Sequence, residues 1–318
     1  MLIMEHDIII NGYRIGMVDS VKVKRSVETL SDTAEIVLPA MYCNKSLGLE
    51  NKLKVNSQVT IKLGYGDRLQ MEFEGYVDSI TTDNSGVKIN CIDSLRLFKK
   101  KLSNQELKGV SLQELLTVVC RQMGDFVLDC DYDYKYDKFV FMEAEGYDVL
   151  KKVQEETKAN IYFEGNTLHV HPPYKEIANK GVVLLDFAQN IEKSDLKYLT
   201  QSDRKMQVKV KGTKPNGETV EYEYGTTGGE SKQVVAGTTD PKEIQQLAKT
   251  VWEQYVFDGY EGSVTCWLLP FVSPSYQVKI IDEDYPYKTG VYYVTGTEVS
   301  FGSGGGPRKI KLGRKVKL

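Results

Sequence analysis

Residues 1–100 keep a two-residue period in six short runs: DIIINGYRI, SVKVKRSVET, TAEIVLP, SQVTIKLGYG, MEFEGYVDSITTD and GVKINCID. Strand side chains alternate between faces, so this period marks half-buried strands. The breaks are turn formers: Asn11-Gly12, Gly64-Tyr-Gly-Asp67 and Asp83-Asn-Ser-Gly86. After Phe98 the period becomes helical, and from about residue 200 it returns to two. The chain is therefore ordered as a β region, an α/β region and a second β region. Short strands at this spacing suit antiparallel barrels or sandwiches, with the α/β part inserted between them.

Local signals place the middle elements. Ser111-Leu-Gln-Glu114 reads as a capping box, with Ser111 at N-cap and Glu114 at N3. Leu112, Leu115, Leu116, Val119 and Met123 follow at helical spacing, and Gly124 suits the C-cap. FVLDCDYDYKY reads as extended chain. Tyr147 to about Ala159 reads as a second helix, buried through Val149, Leu150 and Val153. IYFEGNTLHVH reads as a hairpin turning at Glu164-Gly165-Asn166. Residues 105–173 thus form a small α/β module.

In the second β region, Asn216-Gly217 signals a hairpin. Asp240-Pro241-Lys-Glu243 starts a helix over about 240–257, with Ile244, Leu247, Ala248, Val251, Trp252, Tyr255 and Val256 on one face. Strands GSVTCWLLP, SYQVKIIDE and TGVYYVTGTEVSF follow, then a GSGGG loop and PRKIKLGRKVKL. In that tail Ile310, Leu312, Val316 and Leu318 alternate with Lys311, Lys315 and Lys317, the pattern of a final strand with one charged face. Such a face also suits an acidic partner.

The remaining numbers narrow the function classes. A net charge of -3 does not mark a nucleic-acid or anionic-membrane binder. The five cysteines, Cys43, Cys91, Cys120, Cys130 and Cys266, are odd in number and scattered, as expected of reduced cytoplasmic thiols. No segment reaches the length of a membrane span, and Glu5, His6 and Asp7 interrupt the N-terminus where a signal peptide is apolar. The 20 tyrosines favour half-buried strands and interfaces.

Three motifs invite chemistry. His169 and His171 share one strand face, as a metal pair can, but zinc needs a further ligand and His6 is remote. An Asp or Glu could complete the set. The plainer reading is strand residues running into a Pro172-Pro173 stop, and no metal site is expected. Asp129-Cys-Asp131-Tyr-Asp133 resembles the start of a calcium loop, but Tyr134 stands where Gly is needed and Val140 where Glu is needed. GSGGGP leads into a strand, so it offers no helix N-terminus to a phosphate. With no P-loop or nucleophile elbow, the residues point to a non-enzymatic protein without catalytic residues or cofactor.

EFEGYVDSITTD, GVSLQELLTVVCRQMG, GYDVLKKVQEETKANIYFEGNTLHVHPP and DPKEIQQLAKTVWEQYVFDGYEGSVTCWLLP, followed by SYQVKIIDEDYPYKTGVYYVTGTEVSF, together resemble the tail hub or baseplate hub proteins of phage tails. The late-control-D-like proteins and the hub part of type VI secretion spike proteins are of this kind. The resemblance implies a mainly β fold with an α+β insert. Two tail-tube-like antiparallel β-barrels, 1–102 and 199–318, would flank an α/β domain over 103–198. It also implies a homotrimer whose six barrels imitate a six-fold ring, joining a hexameric tail tube to a trimeric spike. DNA would pass through a polar, negative lumen without specific binding, to which DCDYDYKYD or VEYEYG could contribute. Assembly would occur in the host bacterial cytoplasm and the product would sit in the virion tail, without membrane binding. The chain stops at Leu318, so a spike or cell-wall enzyme would be a separate polypeptide. Two other readings remain: a carbohydrate- or surface-binding β module, and a metal hydrolase using His169 and His171.

Overall fold

The computed structural model of the chain describes residues 3–316, except 40, 43–44, 47–52, 83–85, 175–180 and 215. Cys43, Leu318 and the Asp83–Ser85 part of the expected hairpin turn lie outside the described residues. The first β region holds β1 (Met4–Ile10), β2 (Tyr13–Ile15), β3 (Ser20–Ser26), β4 (Thr33–Pro39), β5 (Met41–Tyr42), β6 (Lys45–Ser46), β7 (Gln58–Tyr65), β8 (Arg68–Thr82) and β9 (Gly86–Ile92). The alternation read from the sequence is met: Val21, Val23, Ile36, Leu38, Ile61, Leu63 and Ile89 point into one core, and their neighbours face out.

The insert contains β10 (Gln105–Ser111), α1 (Leu112–Gly124), β11 (Val127–Cys130), β12 (Lys135–Phe141), α2 (Gly146–Thr157), β13 (Asn160–Glu164) and β14 (Thr167–His171). Ser111 and Glu114 form the expected capping box on α1. The left-handed residue ending α1 is Asp125, one position beyond the Gly124 expected there. Glu145 and Asp148 form a second capping box on α2, which the sequence reading did not name. Leu115, Leu116, Val119, Val149, Leu150 and Val153 share one core, closed by Phe98, Phe126 and Phe163 packed edge to face. The β13–β14 turn needs Gly165, whose φ is 55°.

The last part contains β15 (Val182–Asp186), β16 (Lys193–Leu199), β17 (Met206–Thr213), β18 (Thr219–Gly225), β19 (Glu230–Ala236), α3 (Pro241–Tyr255), β20 (Gly259–Trp267), β21 (Gln277–Ile281), β22 (Gly290–Gly302) and β23 (Pro307–Lys315). The expected helix is present, but it does not lie on the main sheet. It packs Ile244, Leu247, Ala248 and Val251 onto a separate three-stranded sheet, β18-β17-β19, with its own core. A second outgrowth thus interrupts the second β region.

The two β regions belong to one 13-stranded sheet, whose main path runs β16-β20-β23-β22-β3-β4-β9-β8-β7-β1-β2. Strand β22 makes the seam. Its first half pairs with β21, from Ile280↔Gly290 to Gln277↔Tyr293, and its second half pairs with β3, from Gly296↔Ser26 to Gly302↔Ser20. Register shifts between Tyr292 and Gly296 fall where the strand changes partner. Such irregularities bend a strand and increase its twist, letting one strand serve two regions.

Candidate functional site

The seam carries a buried ion pair. On β23 the even positions point inward, and Arg308 is one of them. Arg308 is 1% exposed and grips Glu72 of β8 with both guanidinium arms, Nη2 to Oε1 at 2.6 Å and Nη1 to Oε2 at 3.1 Å. It also donates to the carbonyls of Val272 and Leu268 at 3.0 and 3.2 Å, and its guanidinium lies 5.0 Å from the Phe271 ring. Of the basic residues in the tail, Arg308 is therefore a core member that ties the final strand to the first β region. Lys309 and Lys311 do face outward, as expected of a charged strand face. They line a groove of about 610 Å³ with Lys24, Glu28, Asp195 and Glu298.

A second buried polar cluster joins the first β region to the insert. Asp32 accepts from Arg25 Nε at 2.9 Å and from Ser26 N at 3.0 Å. Asp93 accepts from Asp32 N at 2.7 Å and from Leu95 N at 3.0 Å. Burial pushes the Asp93 carboxyl well above the usual carboxylate range, and the neighbouring Asp32 adds to it. Burial raises Asp32 as well, opposed by Arg25. Ser94 Oγ donates to Gly165 O at 2.6 Å, so this cluster sets the insert against the sheet.

His169 and His171 lie on β14, and the fold brings Asp129 to them. Strand β11 runs parallel to β14 with Asp129 opposite His169, which aligns two segments 40 residues apart. Asp129 Oδ2 lies 2.9 Å from His169 Nδ1 and 3.5 Å from His171 Nε2. Asp131 Oδ1 lies 2.6 Å from His171 Nδ1, and Glu164 Oε2 lies 3.9 Å from His169 Nε2. Tyr162, opposite His169 on β13, stacks on its ring at 4.8 Å and 10°. The His171 side chain is 4% exposed, while that of Asp129 is half exposed at the surface. One ligand atom each from Asp129, His169 and His171 lies within 4.8 Å of the others, so this group is able to hold a metal ion.

The other motifs have structural roles. Tyr132, Tyr134 and Tyr136 alternate inward from the DCDYDYKYD segment and continue edge to face through Phe139 to Phe141. Tyr134 Oη accepts from Gly237 N at 3.1 Å, which ties the insert to the α3 unit. Tyr134, where a calcium loop needs Gly, is thus a buried core residue. The glycines of GSGGG close a β22–β23 hairpin, with Gly302 and Gly305 exchanging backbone hydrogen bonds of 3.2 and 3.0 Å. In the VEYEYG strand, Glu221 and Glu223 face Lys209 of β17 at 2.8 and 3.5 Å, so the acidic face is largely balanced. Cys91, Cys120, Cys130 and Cys266 are free thiols.

No family profile matches the chain, and neither does any curated protein. Solved structures share its architecture. A tail protein from Neisseria meningitidis MC58 superposes with a TM-score of 0.73 over 98% of this chain and 96% of its own, at 13% identity. The 43 kDa tail protein of prophage MuSo2 from Shewanella oneidensis gives 0.69, with 98% of each chain covered, also at 13% identity. The E. coli c3393 protein, a component of the type VI secretion system, gives 0.63 over 98% of this chain and 79% of its own, at 8% identity. The chain has the fold of phage tail proteins and of their type VI secretion relatives, a β-rich architecture with small helical inserts. The resemblance drawn from the sequence holds at the level of fold.

Proposed function

We propose that the protein is a structural tail or baseplate hub subunit that forms a homotrimeric ring between a hexameric tail tube and a central spike. The observation that carries this reading is the single sheet that unites two β regions through β22, in a fold shared end to end with phage tail proteins. In it, the parts 1–102 and 199–318 act as two tube-like barrels, the second completed by β15 and β16, and the rest of 103–198 is the insert between them. Three chains then present six barrels to a six-fold tube while keeping three-fold symmetry for the spike.

The edges of the sheet suit this role. Strands β2 and β16 end its main path, and among the described residues β15 pairs only with β21. Val182 and Leu184 of β15 are exposed. Unpaired edges of this kind template pairing with a neighbouring chain. The subunit acts by geometry and has no enzymatic step of its own. Its partners are tube, spike and other tail-tip proteins, its place is the virion tail after assembly in the host cytoplasm, and DNA crosses the lumen without specific binding.

Co-expression with the spike gene product of the same operon, followed by size-exclusion chromatography and electron microscopy, tests this. A co-eluting complex with three-fold symmetry and an open channel is expected. A chain that never joins its spike, or a ring with a strongly basic lumen that would retain DNA, would overturn it.

A further inference from the structure

We propose that Asp129, His169 and His171 form a binding site for a divalent transition-metal ion of the zinc class, clamping β11 to β14 within the insert. Two imidazole nitrogens and one carboxylate oxygen suit zinc, iron, nickel or cobalt better than calcium or magnesium. Zinc–nitrogen and zinc–oxygen bonds of about 2.0–2.2 Å place tetrahedral ligand atoms roughly 3.3 Å apart. The separations of Asp129 Oδ2 from the two histidines, 2.9 and 3.5 Å, bracket that edge. All three ligand atoms lie within 4.8 Å of one another, and Asp129, half exposed, is the ligand with most freedom to adjust.

The outer contacts match what a ligating histidine needs. Each imidazole turns one nitrogen toward Asp129 and the other toward a second carboxylate: Asp131 for His171 at 2.6 Å, Glu164 for His169 at 3.9 Å. With its proton on Nδ1, His171 donates to Asp131 and presents the Nε2 lone pair to the shared centre. Carboxylates in this outer position fix the tautomer and raise the basicity of the ligand. Three carboxylates around two imidazoles also make the pocket anionic, which favours a cation. Tyr162, stacked flat on His169, restricts the rotation of that ring. Three protein ligands leave at least one coordination position to water or to a neighbouring chain. The site lies outside the β22 seam, so it stands whether or not the chain is a hub.

The test is titration of the full-length chain, stripped of metal, with Zn²⁺ by calorimetry and with Co²⁺ by absorption. One equivalent should bind. The cobalt spectrum should show visible d–d bands without an ultraviolet thiolate band, which separates this site from the cysteines. D129A removes a half-exposed ligand and H169A a largely buried one, and each, where folded, should weaken binding by roughly tenfold or more. D131N should weaken it about 10–100-fold through the outer contact. H171A removes a buried ring and is read only if its circular dichroism is native. Absence of one-equivalent binding to the wild-type chain, or binding unchanged in folded D129A and H169A, would overturn the proposal.

Discussion

Glu72→Gln is the substitution that probes the seam most sharply. Glu72 and Arg308 are each 1% exposed, and the pair is bidentate, so the carboxylate is the counter-charge to a guanidinium sealed from water. The amide keeps the shape of Glu72 but cancels its charge. Arg308 retains two backbone carbonyls and the Phe271 ring, which satisfy donors without neutralising the cation. Breaking one partner of a buried pair costs about 3–5 kcal/mol, because the survivor is left uncompensated. At about 2 °C per kcal/mol, the lower response for larger domains, the melting temperature should fall by roughly 6–10 °C. The double variant E72L/R308M removes both charges and should recover to within about 1 kcal/mol of the wild type. Thermal unfolding by circular dichroism on the four proteins of this cycle, with R308M as the second single variant, gives the numbers. A cost below about 1 kcal/mol for E72Q, or a double variant no better than the singles, would refute the reasoning.

Three further outcomes follow from other parts of the molecule. D240A removes the N-cap carboxylate that accepts from Lys242 N at 2.8 Å, and should cost about 0.5–2 kcal/mol, read as a lower urea midpoint. L150A hollows the insert core at a fully buried position and should cost about 2–5 kcal/mol in the same assay. The raised Asp93 carboxyl gives a pH signature. Between the unfolded value near 3.9 and its higher folded value, the folded state holds the extra proton, so its contribution is present at low pH and is lost as pH rises through the folded value. The stability of wild type relative to D93N should therefore grow as pH falls from neutrality toward 4, and a shrinking difference in melting temperature would contradict this.

Much of this architecture was legible in local pattern, because caps and periods act within a few residues. Ser111 with Glu114, Asp240 with Pro241, and the alternating runs of the first hundred residues each announce an element directly. The parity of the tail also held the fate of Arg308. It falls on the same even positions as Ile310 and Leu312, but a charge on an apolar face reads as surface until its partner is known. That partner, Glu72, is 236 residues away and is supplied by the tertiary fold alone. The same holds for the histidine cluster. The sequence shows His169 and His171 on one face and the acidic run around Asp129, but only the parallel pairing of β11 with β14 joins them. The separate sheet under α3 was hidden for another reason: a strand that joins a private three-stranded sheet has the same two-residue period as one that joins the main sheet.

The reading rests on assembly, and the native mass of the purified chain tests it most directly. Light scattering should give about 108 kDa, three chains of 36.0 kDa, for the chain alone, or that mass plus the spike's own once the spike partner is added. A chain that stays at 36.0 kDa beside its spike, or that settles as a dimer, would contradict a trimeric hub.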